Sequence, residues 1–188
     1  MRDLFVLTTF ARMGGAALKQ AAEFSRRKYS CDIYSLWASP GCGMSKLIRQ
    51  LGELHNWVIV DVPAAPNERT LSNAIACAVW RYGDSYYGSD QTRYNAVKEL
   101  IKRGAPLIVF DNADRLAMRG KEMLIDITRD VGDASGCPIA YASNGGLQRL
   151  LSAAPTTLLE VARERIRNVC ELPRPSLDDA RLLASKRK

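Results

Sequence analysis

Four continuous apolar runs, separated by helical segments, set the tightest limit on how this chain folds. The runs cover residues 32–37, 57–63, 105–114 and 137–144. A strand that is apolar on both faces is typical of a parallel sheet with helices packed on it. Strands that alternate with helices indicate βαβ units. The sequence therefore predicts an α/β domain built around a mainly parallel sheet.

Helical periodicity and capping residues predict the segments that lie between and after the strands. The predicted helices cover residues 15–28, 45–54, 70–83, 91–104, 117–130, 146–153 and 158–165. A last helix is predicted to begin after Ser176. Asp179 occupies its third position, which gives a variant of the capping box.

Composition narrows the class of protein. The net charge of +7 over 188 residues fits an anionic partner and equally fits solvated helix faces. Basic side chains gather at Arg163, Arg165 and Arg167, and again at residues 186–188.

The five cysteines include no C-x-x-C pair, which argues against a disulfide framework and a zinc site. No apolar run approaches the ~20 residues of a membrane span, and the N-terminus is unlike a signal peptide, so a cytoplasmic protein is expected.

The segment ASPGCGMS has the position and the glycine pattern of a phosphate-binding loop, because it joins the first apolar run to a helix. The spacing G-x-x-x-x-G-K-[ST] falls on Ala38, Ser39, Pro40, Gly41, Cys42, Gly43, Met44 and Ser45. Gly41 and Gly43 permit a backbone that turns N–H groups toward phosphate oxygens, and the helix adds its positive end. Ser45 is the expected ligand of Mg²⁺, whereas Met44 replaces the lysine. The alternative is a glycine turn without a ligand.

The third apolar run delivers Asp111 at its end. A buried strand that ends in aspartate resembles a Walker B segment, whose carboxylate holds Mg²⁺ through its water shell. ATP-hydrolysing proteins of this kind usually carry a glutamate next, which activates the attacking water. Here that position is Asn112, which cannot accept a proton. The alternative role of Asp111 is that of a turn or cap residue, and Asp114 is a second carboxylate considered as a displaced base.

Asn144 ends the fourth apolar run. It is expected to orient water or to contact the γ-phosphate, and the alternative is an Asn-Gly turn. Ligands of parallel α/β sheets bind at the carboxyl ends of the strands. The loop at 38–45, Asp111 and Asn144 are therefore expected to form one site.

These segments together resemble the AAA+ ATPases of DNA transposition, in particular the phage Mu transposition protein B family and related transposon ATPases. The resemblance covers roughly residues 15–184 and is carried by WASPGCGMSKLIRQL, by residues 105–151 and by RERIRNVCELPRPSLDDARLLA. The middle segment is the most specific. Its matching positions are Asp111, Ala113, Asp114, Leu116, Asp126, Pro138, Asn144 and Leu147.

The resemblance implies an AAA+ P-loop NTPase with a three-layer α/β/α core over residues 1–170 and the start of a small helical lid over 171–188. It implies ATP and Mg²⁺ as cofactors, and non-specific DNA and a transposase as partners. It also implies a homo-oligomer that binds nucleotide between subunits, in the cytoplasm of a bacterium or a phage-infected host. One subunit then supplies an arginine, for which Arg163, Arg165 and Arg167 are the candidates, either in trans or within the same subunit.

Three positions depart from the family pattern, namely Ala38, Met44 and Asn112. Because two of them are central to hydrolysis, the expected function is ATP binding in DNA transposition with weak or absent hydrolysis. The alternatives are an active ATPase of the same family and a nucleotide-free interaction module, a pseudo-ATPase.

Overall fold

The computed structural model describes most of the chain, with short gaps. The described residues are 8–24, 31–80, 89–117, 122–153, 157–174, 176–179 and 181. The basic residues 186–188 and the remainder of the last predicted helix lie outside the described residues.

Helices and strands alternate along the chain. The strands are β1 (Ile33–Trp37), β2 (Val58–Asp61), β3 (Ile108–Asp111), β4 (Ile139–Ser143) and β5 (Ile166–Glu171). The helices are α1 (Thr9–Phe24), α2 (Met44–His55), α3 (Glu68–Trp80), α4 (Ser89–Arg103), α5 (Met123–Ser135), α6 (Gly146–Ala153) and α7 (Thr157–Glu164). A short 3-10 helix, Ala113–Leu116, follows β3. Within the described ranges, no helix is both long and apolar enough to cross a membrane.

The five strands form one parallel sheet in the order β2-β3-β4-β1-β5. Successive residues of a strand point to opposite faces. In β4, Ile139 and Tyr141 pack into one apolar cluster and Ala140 and Ala142 into another. Side chains of α3, α4 and α5 complete the first cluster, and side chains of α1 and α2 complete the second. The predicted α/β fold, with three layers and a parallel sheet, is therefore confirmed.

Several boundaries and one strand differ from the predictions, and the first helix begins at Thr9 rather than at residue 15. The third strand ends at Asp111 because Asn112 adopts a left-handed backbone with φ 59° and the 3-10 helix follows. The next helix begins at Met123 rather than near residue 117. Strand β5 was not predicted, because it is an edge strand whose polar, mostly exposed residues lack an apolar run. Arg167 consequently lies in a strand.

The carboxylate of Asp179 ties the last described segment to α1. Its Oδ2 accepts a hydrogen bond from the Ser176 N–H at 2.9 Å, and the Asp179 N–H donates to Ser176 Oγ at 3.0 Å. These bonds confirm the predicted capping box. Oδ1 accepts a third bond from the Thr9 N–H at 2.8 Å. The hydrogen bonds from Ser176 and Thr9 hold the pKa of Asp179 below its usual value.

We expect Asp179→Ala to lower the free energy of unfolding by about 1–3 kcal/mol at neutral pH, because it removes a charged acceptor from two N–H groups. A carboxylate whose folded pKa is depressed stabilises the fold above its unfolded pKa, and that stabilisation is lost as pH falls through the folded pKa. Urea unfolding should therefore show a difference from the wild type at pH 7 that shrinks below about pH 4. Asp178→Ala is the matched control, since Asp178 is 89% exposed. A difference that is independent of pH would contradict this role.

Candidate nucleotide-binding site

The loop between β1 and α2 has the backbone that its glycines predict. Gly41 and Gly43 have φ values of 82° and 88°, a left-handed conformation that glycine adopts without a steric penalty. Gly43 directly precedes the first residue of α2, and its carbonyl accepts the Leu47 N–H at 3.0 Å. The first N–H groups of a helix have no partner within it and carry partial positive charge. This end of α2 is therefore suited to an anion.

A cavity of about 350 Å³ opens against this loop at the carboxyl ends of β1, β3 and β4. Its lining residues are Ser39, Pro40, Gly41, Cys42, Gly43, Met44, Ser45, Lys46, Asp111, Asn112, Ala142, Ser143 and Asn144. Apart from Ala38 and the three arginines, the structure therefore brings every predicted site residue together. Ala38 is buried in the apolar cluster below the loop, and its N–H donates to Ser143 O at 3.2 Å.

Asp111 has the environment of a cation ligand. It is 2% exposed, and its Oδ1 accepts hydrogen bonds from Ser45 Oγ at 3.1 Å and from the Asn112 N–H at 2.9 Å. Its Oδ2 is buried without a hydrogen-bond partner. A buried carboxylate oxygen without a partner is costly, and a cation beside it would remove that cost.

The donor set fits Mg²⁺ rather than a transition metal. Ser45 and Asp111 offer two hard oxygen ligands, and Mg²⁺ typically keeps several waters and phosphate oxygens in addition. Within the described ranges, no group of three or more His, Cys, Asp or Glu side chains is placed to hold a metal ion. Waters and phosphate oxygens would complete the ligand set of such a site.

Met44 contributes no charge to the cavity. Its side chain is 9% exposed and belongs to the apolar cluster that α1 and α2 form with the sheet. The lysine of a complete motif would bring an ammonium group to the phosphates at this position. Here only the backbone of the loop and the helix end supply positive potential from within the motif.

The side chain of Asn112 is hydrogen-bonded to a neighbouring carboxylate and cannot act as a base. Its Nδ2 donates to Oδ1 of Asp61 at 2.9 Å, and Asp61 is the β2 residue that pairs with Asp111 in the sheet. Arg115 also donates to Asp61 Oδ1 at 3.4 Å. Sequence reasoning missed Asp61, although it ends β2 just as Asp111 ends β3.

Asp114 caps α6 rather than facing the cavity. Its Oδ1 accepts the Leu147 N–H at 2.9 Å, and its Oδ2 accepts the Asn144 N–H. Both oxygens are thus used to hold the end of β4 against the segment after β3. The suggested role of Asp114 as a displaced base does not fit this arrangement. Asn144 is positioned through its backbone, with Gly145 next to it at φ 96°.

We expect Asp114→Ala to lower the free energy of unfolding by about 2–4 kcal/mol, because two N–H groups lose a charged acceptor. The loss should be measurable by urea unfolding, and the backbone amide signals of Asn144 and Leu147 should shift. Asp130→Ala is the control, since the Asp130 side chain is 64% exposed. A variant as stable as this control would show that the cap contributes nothing.

The three candidate arginines do not line the cavity. Arg165 pairs with Asp133, and Arg167 Nε donates to Asp32 Oδ1 at 2.8 Å. Both pairs lie at the amino end of β1, roughly 13 Å of strand away from the loop. Contact with a nucleotide of the same subunit therefore does not fit these two residues. Arg163 is exposed in the last turn of α7, and a role in trans for any of the three stays a prediction.

A different arginine lies at the loop. Arg174 Nε donates to Ser39 Oγ at 3.2 Å, and Arg174 lines a second cavity together with Ser39, Pro40, Gly41 and Cys42. Sequence reasoning missed this residue because its neighbourhood depends on how the chain after β5 docks beside β1.

Comparison with known proteins gives matches among solved structures alone, since no family model and no curated protein matches the chain. A Walker-type ATPase of Pyrococcus abyssi superposes with a TM-score of 0.64 at 14% identity, covering 91% of this chain and 55% of that one. The Aeropyrum pernix Orc1 protein in complex with DNA gives 0.58 at 16% identity, covering 96% and 49%. The AMPPCP-bound DnaA of Aquifex aeolicus gives 0.53 at 16% identity, covering 88% and 47%.

The chain has the fold of an AAA+ P-loop NTPase. It spans about half the length of these three solved chains. At these identities the likeness concerns the fold alone. Within that fold, the loop at 38–45, Asp111 and Asn144 lie at one edge of the sheet.

Proposed function

We propose that this chain binds ATP with Mg²⁺ in the cavity at the loop and hydrolyses it slowly or not at all. The observation that carries the proposal is the contact between Ser45 and Asp111, with a buried carboxylate oxygen of Asp111 left without a partner. A site built this way at a helix N-terminus is suited to a cation that accompanies phosphate. The AMPPCP-bound DnaA, which shares the fold, supports a nucleotide as the ligand.

Each residue of the cavity has a role in that proposal. The loop N–H groups bind phosphate oxygens, and Ser45 and Asp111 hold Mg²⁺, which neutralises charge on the phosphates. Asn144 presents a carboxamide to the far end of the phosphate chain. Asn112 directs its amide nitrogen toward Asp61, so its remaining amide oxygen can orient a water molecule without taking its proton.

The substitutions at Met44 and Asn112 account for the weak hydrolysis. A general base typically contributes 10²–10⁴-fold to a rate, and Asn112 cannot act as one. A charge-assisted contact to phosphate is typically worth about 1.5–3 kcal/mol, and Met44 cannot make it. The loop, the helix end and the cation site are all present, so ATP is still bound although it is hydrolysed slowly or not at all.

We further propose that the chain acts in DNA transposition, as a homo-oligomer that binds DNA non-specifically and contacts a transposase. In this proposal residues 1–170 are the core, residues 171–188 begin a helical lid, and Arg163 is the arginine best placed to reach a neighbouring subunit. The net charge of +7 and the DNA-bound Orc1 protein of the same fold support the contact with DNA.

Titration with a fluorescent ATP analogue, with and without Mg²⁺ and a DNA duplex of arbitrary sequence, tests these proposals. We expect saturable binding that needs Mg²⁺, and DNA binding whose affinity falls steeply with salt. Absence of nucleotide binding under all conditions would favour the nucleotide-free module. Binding of DNA that is unaffected by salt would contradict the proposed non-specific contact.

A further inference from the structure

Arg174 stands at the mouth of the phosphate loop although it lies outside the motif. Its guanidinium is joined to Ser39 Oγ by a hydrogen bond of 3.2 Å. The second cavity, of about 510 Å³, is formed by Arg174 with the first part of the loop. Those same loop residues, 39–42, also line the cavity that contains Asp111. The guanidinium therefore adjoins the space in which a phosphate chain would lie.

The backbone that carries Arg174 is fixed to the strand that carries the loop. The Leu172 N–H donates to Trp37 O at 2.8 Å, directly before the loop begins. Leu172 is 3% exposed, and its side chain packs close to Gly14 of α1, beside Leu47 of α2. The position of Arg174 thus follows from buried packing two residues before it, and does not depend on its own exposed side chain.

The charge of Arg174 is available to a ligand. Arg165 and Arg167 are paired with carboxylates, whereas within the described part of the chain Arg174 has a neutral hydroxyl as its hydrogen-bond partner. That bond uses Nε, so the two terminal nitrogens remain for bidentate contact with phosphate, the geometry in which guanidinium is strongest. The loop meanwhile lacks the cation that Met44 replaces.

We propose that Arg174 supplies, from outside the motif, the positive charge for the phosphates of the bound nucleoside triphosphate that the loop lacks at Met44. This inference rests on the proposed function, since it concerns the same site. It makes Arg174 a residue that sets the preference of the site for a long phosphate chain over an uncharged nucleoside.

Competition binding of ATP, ADP and adenosine against a fluorescent ATP analogue tests the role in the full chain with Mg²⁺. Arg174→Gln should weaken ATP about 10- to 100-fold, weaken ADP less, and leave adenosine unchanged. Adding Met44→Lys to Arg174→Gln should restore most of the lost ATP affinity, because it returns a cation to the phosphates. Arg181→Gln is the matched control, since Arg181 is exposed nearby and pairs with Asp178.

Several results would overturn the proposal while leaving nucleotide binding intact. ATP affinity unchanged in Arg174→Gln is one of them. An equal loss for adenosine is another, because it would place the guanidinium on the base. A loss in Lys46→Ala with none in Arg174→Gln would assign the charge to Lys46, which also lines the first cavity. Wild-type protein that binds no nucleotide would overturn both this proposal and the proposed function.

Discussion

The substitutions Met44→Lys and Asn112→Glu are expected to raise the rate of ATP hydrolysis by about 10²-fold or more when Asp61→Asn accompanies them. Without the change at Asp61, the same two substitutions are expected to give little activity. The reason is that Asn112 and Asp61 already form a hydrogen-bonded pair of an amide and a carboxylate. Glutamate at position 112 would place a second carboxylate against Asp61, and like charges in contact destabilise each other.

The backbone at this position adds to the conflict. Asn112 has φ 59°, a conformation that asparagine tolerates and that costs most other residues roughly 1–2 kcal/mol. Asp61→Asn would convert the repulsion into a hydrogen bond, which offsets part of that strain. The amide and the carboxylate would then have changed places, and the hydrogen bond between the two side chains would be kept.

Phosphate release by the triple variant, measured under saturating ATP and Mg²⁺, checks this expectation. The matched control carries Asn112→Gln in place of Asn112→Glu, which keeps the size of the side chain and cannot accept a proton. Equal activity with and without Asp61→Asn would contradict the role given to Asp61. A triple variant that binds ATP but stays inactive would show that hydrolysis lacks further residues besides those at these three positions.

Asp111→Asn is expected to remove the dependence of ATP binding on Mg²⁺, lowering affinity in the presence of Mg²⁺ about 10- to 100-fold. The substitution keeps the shape of the side chain and, through the amide oxygen, the acceptor for Ser45, while it removes the negative charge and replaces the second oxygen with an NH2 group. Without ligand, the variant should be as stable as the wild type or more stable, because the buried carboxylate has an oxygen without a partner. Thermal unfolding with and without MgATP measures both effects.

A matched control for this prediction is Asp130→Asn on α5, which removes an exposed carboxylate. Strong destabilisation of the unliganded Asp111→Asn protein would contradict the interpretation of Asp111 as a cation ligand. It would show instead that the carboxylate is a structural cap, the alternative that its sequence position allows.

The sequence was sufficient to predict the parts of this protein that depend on local pattern. Continuous apolar runs predicted β1, β2, β3 and β4, and glycine spacing predicted the loop. The carboxyl-end rule for parallel sheets then placed Asp111 and Asn144 with the loop. Strand β5 was not predicted, because an exposed edge strand carries no continuous apolar run.

The rest of the site depends on contacts between distant segments. Asp61 meets Asn112 because β2 pairs with β3, and Arg174 meets Ser39 because the chain after β5 docks beside β1. Because β5 runs parallel to β1, Arg165, which directly precedes β5, lies at the amino end of the sheet and away from the loop. Composition and spacing contain no signal for such neighbours.

The measurement that tests the central claim most directly records ATP binding and phosphate release on the same sample of the full chain. We predict saturable binding of ATP in the presence of Mg²⁺, with phosphate release that is absent or about 10²-fold slower than in the Met44→Lys, Asn112→Glu, Asp61→Asn variant. Phosphate release as fast as in that variant, abolished by Asp111→Asn, would contradict this prediction, because Met44 and Asn112 would then have cost the site no activity. Absence of binding at any concentration of Mg²⁺ would contradict it from the other side, since the loop would then hold no nucleotide.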